Sequence, residues 1–113
     1  MPIPVRLLPF TVAVVRPVVD VDRYGNPTYD YGPSAARTPV RAWLEPREAS
    51  EPTSDGRAPL VADWLLITNH DDVHGRDRIE WGALTFEVDG PPAPIPTPAG
   101  PHHVEATLRH IQG

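Results

Sequence analysis

Apolar and polar residues alternate with a period of two in several short segments of this chain, which predicts β-strands with one face turned to a core. Val40, Ala42 and Leu44, for example, alternate with Arg41, Trp43 and Glu45. No window sustains the i, i+3, i+4, i+7 apolar spacing of a helix, and prolines recur too often for a long one. Strands are therefore predicted over residues 10–19, 40–45, 60–68, 77–81, 84–88 and 104–109.

These strands predict a closed sheet. Residues 60–68 are apolar on both faces, as in a central strand, while Pro17 indicates that the first strand ends or lies at an edge there. Gly82-Ala83 links two strands as a two-residue hairpin with glycine in the first turn position, which favours a type II′ turn. Because closure removes exposed sheet edges, we expect an all-β fold: a small antiparallel β-barrel of about six strands with three long loops.

The three long connections cover residues 20–37, 46–59 and 90–101. The first carries tyrosines, the second is rich in charged residues, and the third is proline-rich and predicted to adopt stiff polyproline II geometry. Loops this long in a compact domain are usually functional or mobile, so the pattern suggests a scaffold that presents loops to partners.

Length and charge narrow the function. With 113 residues the chain is predicted to form one domain over 1–113, and ten Lys and Arg against fifteen Asp and Glu give a net charge of −5, which argues against a nucleic-acid-binding face. Cysteine is absent, so disulfides and thiol chemistry are excluded. The apolar stretch at residues 7–15 is interrupted by Pro9 and too short for a membrane span, so we expect synthesis in the cytosol.

Candidate chemistry is sparse. His70 and His74 fall in a predicted turn, where a spacing of four does not converge on a metal, and His102 and His103 are adjacent on a strand and expected to point to opposite faces. No nucleophile elbow and no phosphate-binding glycine loop is present. We therefore expect no catalytic, cofactor or metal site.

Aromatic residues are more informative. Trp43 lies on the outward face of its predicted strand, which leaves two alternatives: a loop half-covers it, or it anchors another subunit. Trp64 and Trp81 are predicted to lie in the core.

The order of elements resembles a known family. An N-terminal strand is followed by an Asp-x-x-Gly-Asn turn at residues 22–26, and a later strand runs into the polar loop that ends at Arg57. The second half is the most specific: a strand at residues 65–69, an Asp-Arg strand start at 77–78, a hairpin over 82–92 and a final turn and strand over 98–109. In this order the chain resembles the head-to-tail stopper (head-closure) proteins of long-tailed bacteriophages.

The resemblance implies a structural, non-enzymatic protein of the virion neck, with no cofactor. Such proteins form a homo-oligomeric ring that binds the adaptor (connector) ring below the portal, retains packaged double-stranded DNA without sequence-specific contacts, and offers a docking surface to the tail terminator or tail tube, away from membranes. By this analogy the charged loop is a candidate channel plug, and the tyrosine and proline loops are candidate contacts to neighbouring subunits or the adaptor. The candidate plug residues are Glu48, Glu51, Asp55 and Arg57, and the candidate contacts are Tyr24, Tyr29, Tyr31, Trp43, Pro94 and Ile95.

Three other interpretations stay open, one of which is a His-dependent metalloenzyme. Another phage tail-completion or minor tail protein shares this composition. An OB-like barrel for single-stranded nucleic acid needs aromatic residues on a basic face, whereas Trp43 shares its strand face only with Arg41 among cations.

Overall fold

The computed structural model describes residues 3–48, 61–98 and 100–111, which form nine strands and one 3-10 turn. The elements in order are the 3-10 turn Val5–Leu7, then β1 (Phe10–Arg16), β2 (Val18–Val21), β3 (Pro27–Asp30), β4 (Ala36–Glu48), β5 (Val61–Thr68), β6 (Arg78–Trp81), β7 (Leu84–Val88), β8 (Ala93–Thr97) and β9 (Gly100–Ile111).

Six of these strands close an antiparallel barrel in the order β5-β4-β1-β6-β7-β9, with β9 pairing back to β5. β8 pairs with the first half of β9, along the edge that β7 occupies further on. β2 and β3 form a separate two-stranded sheet. The predicted six-stranded all-β barrel is confirmed.

The period-two pattern produces the core because alternate residues of each barrel strand point inward. On β1, Val12 and Val14 are buried; on β7, Phe86 and Val88 are buried. The cluster is completed from the other barrel strands and one loop by Val40, Ala42, Leu44, Leu66, Val73, Ile79, Ala106 and Leu108.

β5 is central, as predicted, since it pairs with β4 on one side and β9 on the other. The predicted hairpin is present, with Gly82 at φ +58°. Ala83 is not among the positive-φ residues, so the turn has the left-handed first position that a type II′ turn requires. Trp64 and Trp81 differ from expectation, because both are half-buried and pack against the core rather than within it.

The connections hold more β structure than the sequence predicts. The first predicted strand stops at Arg16, and the chain resumes after Pro17 as β2, whose partner β3 lies inside the first long connection. The polyproline II prediction for residues 90–101 is wrong for its centre, because Ala93–Thr97 pairs with β9 as a strand. Proline is tolerated there because β8 is an edge strand, where a missing N–H faces outward.

Within the described ranges, no helix is both long and apolar enough to cross a membrane.

Candidate assembly surfaces

Aromatic rings fill one end of the barrel. The ring centroids of Phe10 and Trp81 lie 4.9 Å apart, those of Trp64 and Trp81 6.4 Å, and those of Trp64 and Phe86 5.1 Å. Phe10 begins β1, Trp81 ends β6, Trp64 lies in the first half of β5, and Phe86 lies in the middle of β7. Because side chains occupy the interior, candidate functions must be sought on the outer surface.

The most exposed structured element is the hairpin β2–β3, which projects from the end of the barrel where β1 stops. All four residues of β2 are exposed, including Val18, Val19 and Val21. Tyr24, a predicted contact residue, lies in its turn and is 74% exposed. Asp22 Oδ1 accepts hydrogen bonds from the backbone N–H groups of Tyr24 and Asn26, which holds this turn in one shape.

The root of the hairpin is clamped by Arg37. Its guanidinium donates two hydrogen bonds to the carboxylate of Glu80 on β6, Nε to Oε1 at 3.0 Å and Nη2 to Oε2 at 3.2 Å. It also donates to the carbonyls of Tyr31 and Gly32 at 2.9 Å each. One planar fork therefore ties the chain after β3 to the barrel wall. The carboxylate of Glu80 raises the pKa of Arg37 through these hydrogen bonds.

Two of the predicted contact tyrosines lie against the same chain. The guanidinium carbon of Arg78 is 3.8 Å from the ring centroid of Tyr31, and that of Arg76 is 4.5 Å from the ring of Tyr29. The hydroxyl of Tyr31 donates to the carbonyl of Arg76 at 2.7 Å. Tyr29 and Tyr31 are half-buried by these cation–π contacts. The contacts hold the hairpin in its orientation on the barrel, and this holds whether or not the two tyrosines also touch another subunit.

A second arginine cluster lies beside the hairpin root. Arg16, the last residue of β1, donates Nε and Nη2 to the two carboxylate oxygens of Asp77 at 2.8 and 2.9 Å. Asp77 is 1% exposed and also accepts a hydrogen bond from the backbone N–H of His74. Arg16 Nη2 reaches Asp72 as well, at 3.2 Å from Oδ1. Hydrogen bonding to Asp77 chiefly raises the pKa of Arg16, and the same guanidinium lowers the pKa of Asp72.

Trp43 lies on the outer face, as predicted, and is 38% exposed. Its ring stacks on Phe10 with centroids 5.5 Å apart and planes inclined by 30°. The half-cover therefore comes at least in part from the start of β1. A role of Trp43 as an anchor for another subunit stays a prediction.

Of the candidate plug residues, only Glu48 lies in the part of the chain that the structure describes. β4 has thirteen residues, and those after Ala42 extend past the start of β1 and pair only with β5. Glu48 is the last residue of β4, and β5 begins at Val61. Glu51, Asp55 and Arg57 lie outside the described residues, so the plug stays a sequence prediction.

β8 holds the remaining candidates, Pro94 and Ile95. Pro94 is exposed and Ile95 half-buried at the outer edge of the β8–β9 pair. Pro94 and Pro96 have no N–H to offer a further strand, so this edge resists extension of the sheet. Any contact made here uses side chains.

The expectation that His102 and His103 point apart is wrong. Their Nδ1 atoms are 2.7 Å apart, and His103 Nε2 is 2.8 Å from Glu105 Oε2. The cause is a bulge: Ile95 faces His103 and Pro96 faces Pro101, so His102 is an extra residue in β9. A bulge re-aims side chains that a regular strand sends to opposite faces. No alternation signal marks this bulge in the sequence.

No grouping of three or more His, Cys, Asp or Glu side chains that would hold a metal occurs in residues 3–48, 61–98 and 100–111. His74 lies instead beside Asp72, with Nε2 3.0 Å from Oδ1, and both side chains are more than half exposed.

Comparison with known proteins gives the fold alone. Neither a family model nor a curated protein matches the chain. Among solved structures, it is similar to the solution structure of protein SF1141 from Shigella flexneri 2a, with a TM-score of 0.56 and 14% identity over 91% of this chain and 92% of that one.

Proposed function

We propose that this protein is a structural component of the phage neck, which forms a ring between the portal–adaptor complex and the tail, retains packaged DNA and provides the tail docking surface. The observation that best supports the proposal is a closed barrel with an exposed hairpin projecting from one end. β2–β3 leaves the end where β1 stops, and at the other end β4 runs past the start of β1 beside β5, which pairs with β9 on its other side. A subunit held between two other rings needs contacts above, below and on both flanks, and this shape offers them.

The construction of the barrel suits a mechanical role. Its interior is filled by apolar and aromatic side chains, so its surface carries the binding. The hairpin root is held by bidentate ion pairs, Arg37 with Glu80 and Arg16 with Asp77. Because the root of the exposed hairpin is held rigidly, a contact that the hairpin makes fixes the orientation of one subunit relative to the next.

The charge suits a DNA channel without sequence-specific binding. The net charge of −5 disfavours tight contact with the phosphate backbone, so DNA that is held back can later slide. In this proposal the acidic segment between β4 and β5, with Glu51 and Asp55, obstructs the channel, and the protein acts without a cofactor or catalytic step.

The test is deletion of the gene in the parent phage, followed by electron microscopy of the particles. Tailless heads that have lost their DNA, beside free tails, are the expected result. DNA-filled heads without tails would limit the role to tail docking, as for a tail-completion protein, and normal virions would refute the neck role.

The plug is tested separately by complementing that deletion with a chain lacking residues 49–57. We expect tails to attach while heads leak DNA. The matched control exchanges Glu51 and Asp55 for glutamine and asparagine, which keeps the length of the loop. Normal DNA retention with the shortened chain would contradict the plug.

A further inference from the structure

One face of the β2–β3 hairpin is apolar, and its two valines are exposed while Arg76 covers part of Tyr29. The cross-strand pairs Val19–Tyr29 and Val21–Pro27 place four apolar or aromatic residues on this face. Val19 is 59% and Val21 61% exposed, although the hairpin root beneath them is clamped. A two-stranded hairpin alone is marginal in water, and a contiguous apolar face on a rigid element marks an interaction surface.

A groove of similar apolar character lies on another flank of the barrel, over β4 and the end of β5. Its volume is about 280 Å³. It is lined by Val5, Leu8, Pro39, Val40, Arg41, Thr68, Asn69 and His70.

The wall of this groove is preformed. The side chain of Asn69 exchanges two hydrogen bonds with the backbone of Ile3, at 2.9 and 2.8 Å. Arg41 Nε donates to the carbonyl of Leu8 at 2.9 Å. These bonds hold the N-terminal segment in place and leave Val5 58% exposed at the rim. A partner that enters the groove therefore need not order it first.

The two surfaces carry opposite charge. The hairpin bears three exposed aspartates and one arginine, Asp20, Asp22, Asp30 and Arg23, which sum to −2. The groove is lined by Arg41 and His70, and its lining residues include no carboxylate. Complementary charge of this kind favours a second copy of the same chain as the occupant.

The placement of the two surfaces decides the kind of contact. The hairpin root is tied toward β6 by Arg37 and Tyr31, whereas the groove lies across β4 and β5, on the other side of β1 in the sheet order. A surface on one flank that fits a different surface on the other flank makes a head-to-tail contact, which repeats around a ring.

We propose that the hairpin of one copy inserts Val19 and Val21 into this groove of the next copy, against the exposed Val5 and Pro39. This contact rests on the proposed function for its place in a ring, and it supplies the flank contact that such a ring needs. The acidic hairpin edge then lies near Arg41 of the receiving copy.

The absence of cysteine makes the contact directly testable in the purified protein. Val21→Cys and Val5→Cys chains are mixed under oxidising conditions, and the disulfide-linked heterodimer is followed on non-reducing gels. We expect it to form about tenfold faster than in a control mixture of Val21→Cys with Thr107→Cys, an exposed position on β9. Added salt should slow the reaction, because opposite charges draw the surfaces together.

Two results would overturn the contact. Equal cross-linking rates for the test and control mixtures would show that the hairpin does not bind the groove. Rapid disulfide linking of Val21→Cys chains to each other would indicate that two hairpins pair symmetrically. Thermal unfolding of each variant confirms that it is folded. The cross-linking experiment uses purified protein and no phage, so it tests the contact independently of the neck role. If the gene deletion gives the neck phenotype but the chains do not cross-link, only this contact is refuted. If the chains cross-link but the deletion leaves normal virions, only the neck role is refuted.

Discussion

Replacing Arg16 by leucine tests whether the ion pair at the hairpin root holds the barrel together. Arg16 makes both of its short carboxylate bonds to Asp77, at 2.8 and 2.9 Å. Asp77 is 1% exposed, whereas the side chain of Arg16 is 36% exposed. The substitution therefore leaves a buried carboxylate without its countercharge, which is the costly way to break such a pair.

The expected loss is about 3 kcal/mol. Removing one partner of a buried pair costs about 3–5 kcal/mol, and the low end applies because Arg16 is partly screened by water. Asp77 also keeps its hydrogen bond from His74 N–H at 2.8 Å. The matched control is Arg109→Leu, since Arg109 pairs with Glu87 and Asp89 at 3.9 and 3.3 Å with all three side chains about half exposed. That surface pairing is worth no more than about 0.5 kcal/mol.

Urea unfolding of the purified chains measures both values. With a slope of about 1.5 kcal/mol/M, the midpoint of Arg16→Leu should fall by about 2 M and that of Arg109→Leu by less than about 0.4 M. The urea midpoint of Arg16→Lys should lie between those of the two leucine variants, because the lysine ammonium keeps the positive charge but lacks the planar guanidinium that binds both carboxylate oxygens. Equal losses of unfolding free energy in the two leucine variants would refute the argument that burial of Asp77 makes the Arg16–Asp77 pair strongly stabilising.

Three further predictions follow from the same structure. Trp64→Ala removes a ring packed on the core and should lower the free energy of unfolding by about 3 kcal/mol. Trp43→Ala removes one stacked ring on the outer face and should lower it by about 1 kcal/mol. Equal losses in urea unfolding would contradict this assignment of the two rings to the inner and outer faces. In a carbon-detected NMR titration, the pKa of the Asp72 carboxylate should lie below its ordinary value of 3.8. Its contribution to stability is therefore present above pH 3.8 and is lost as the pH falls through the lowered pKa. Arg16→Leu should raise the titration midpoint of Asp72 again, and an unchanged midpoint would exclude the guanidinium as the cause. Gly82→Ala, at φ +58° with open space around the new methyl group, should destabilise by about 1 kcal/mol through backbone strain alone, and an unchanged urea midpoint would argue against the left-handed turn.

The sequence predicted the barrel strands because most of them alternate apolar and polar residues and the central strand β5 is apolar on both faces. Bounds were closest where the alternation is strict and a turn signal adjoins it, as in β6 and β7 around Gly82-Ala83. β3 and β8 were missed because neither alternates, and β8 contains Pro94 and Pro96. Each forms because a neighbouring strand supplies hydrogen-bonding partners, which is a property of tertiary context rather than of the segment.

The candidate site was only partly accessible from sequence. Exposure of Tyr24 and the outward face of Trp43 follow from local pattern. The burial of Tyr31 under Arg78 and the seating of its hydroxyl on Arg76, 45 residues away, do not. The meeting of His102 and His103 depends on a one-residue bulge that no local pattern marks.

The amino-acid sequence by itself determined the all-β class, the inward and outward faces of the barrel strands and the lack of thiol chemistry, because alternation and composition are local properties. Only the tertiary structure decided that Arg16 meets Asp77 across 61 residues and that Arg37 meets Glu80 across 43. Those partners are set by the order in which strands close the barrel. That order places an apolar hairpin on one flank and an apolar groove on another, which is where the proposed assembly of the protein resides.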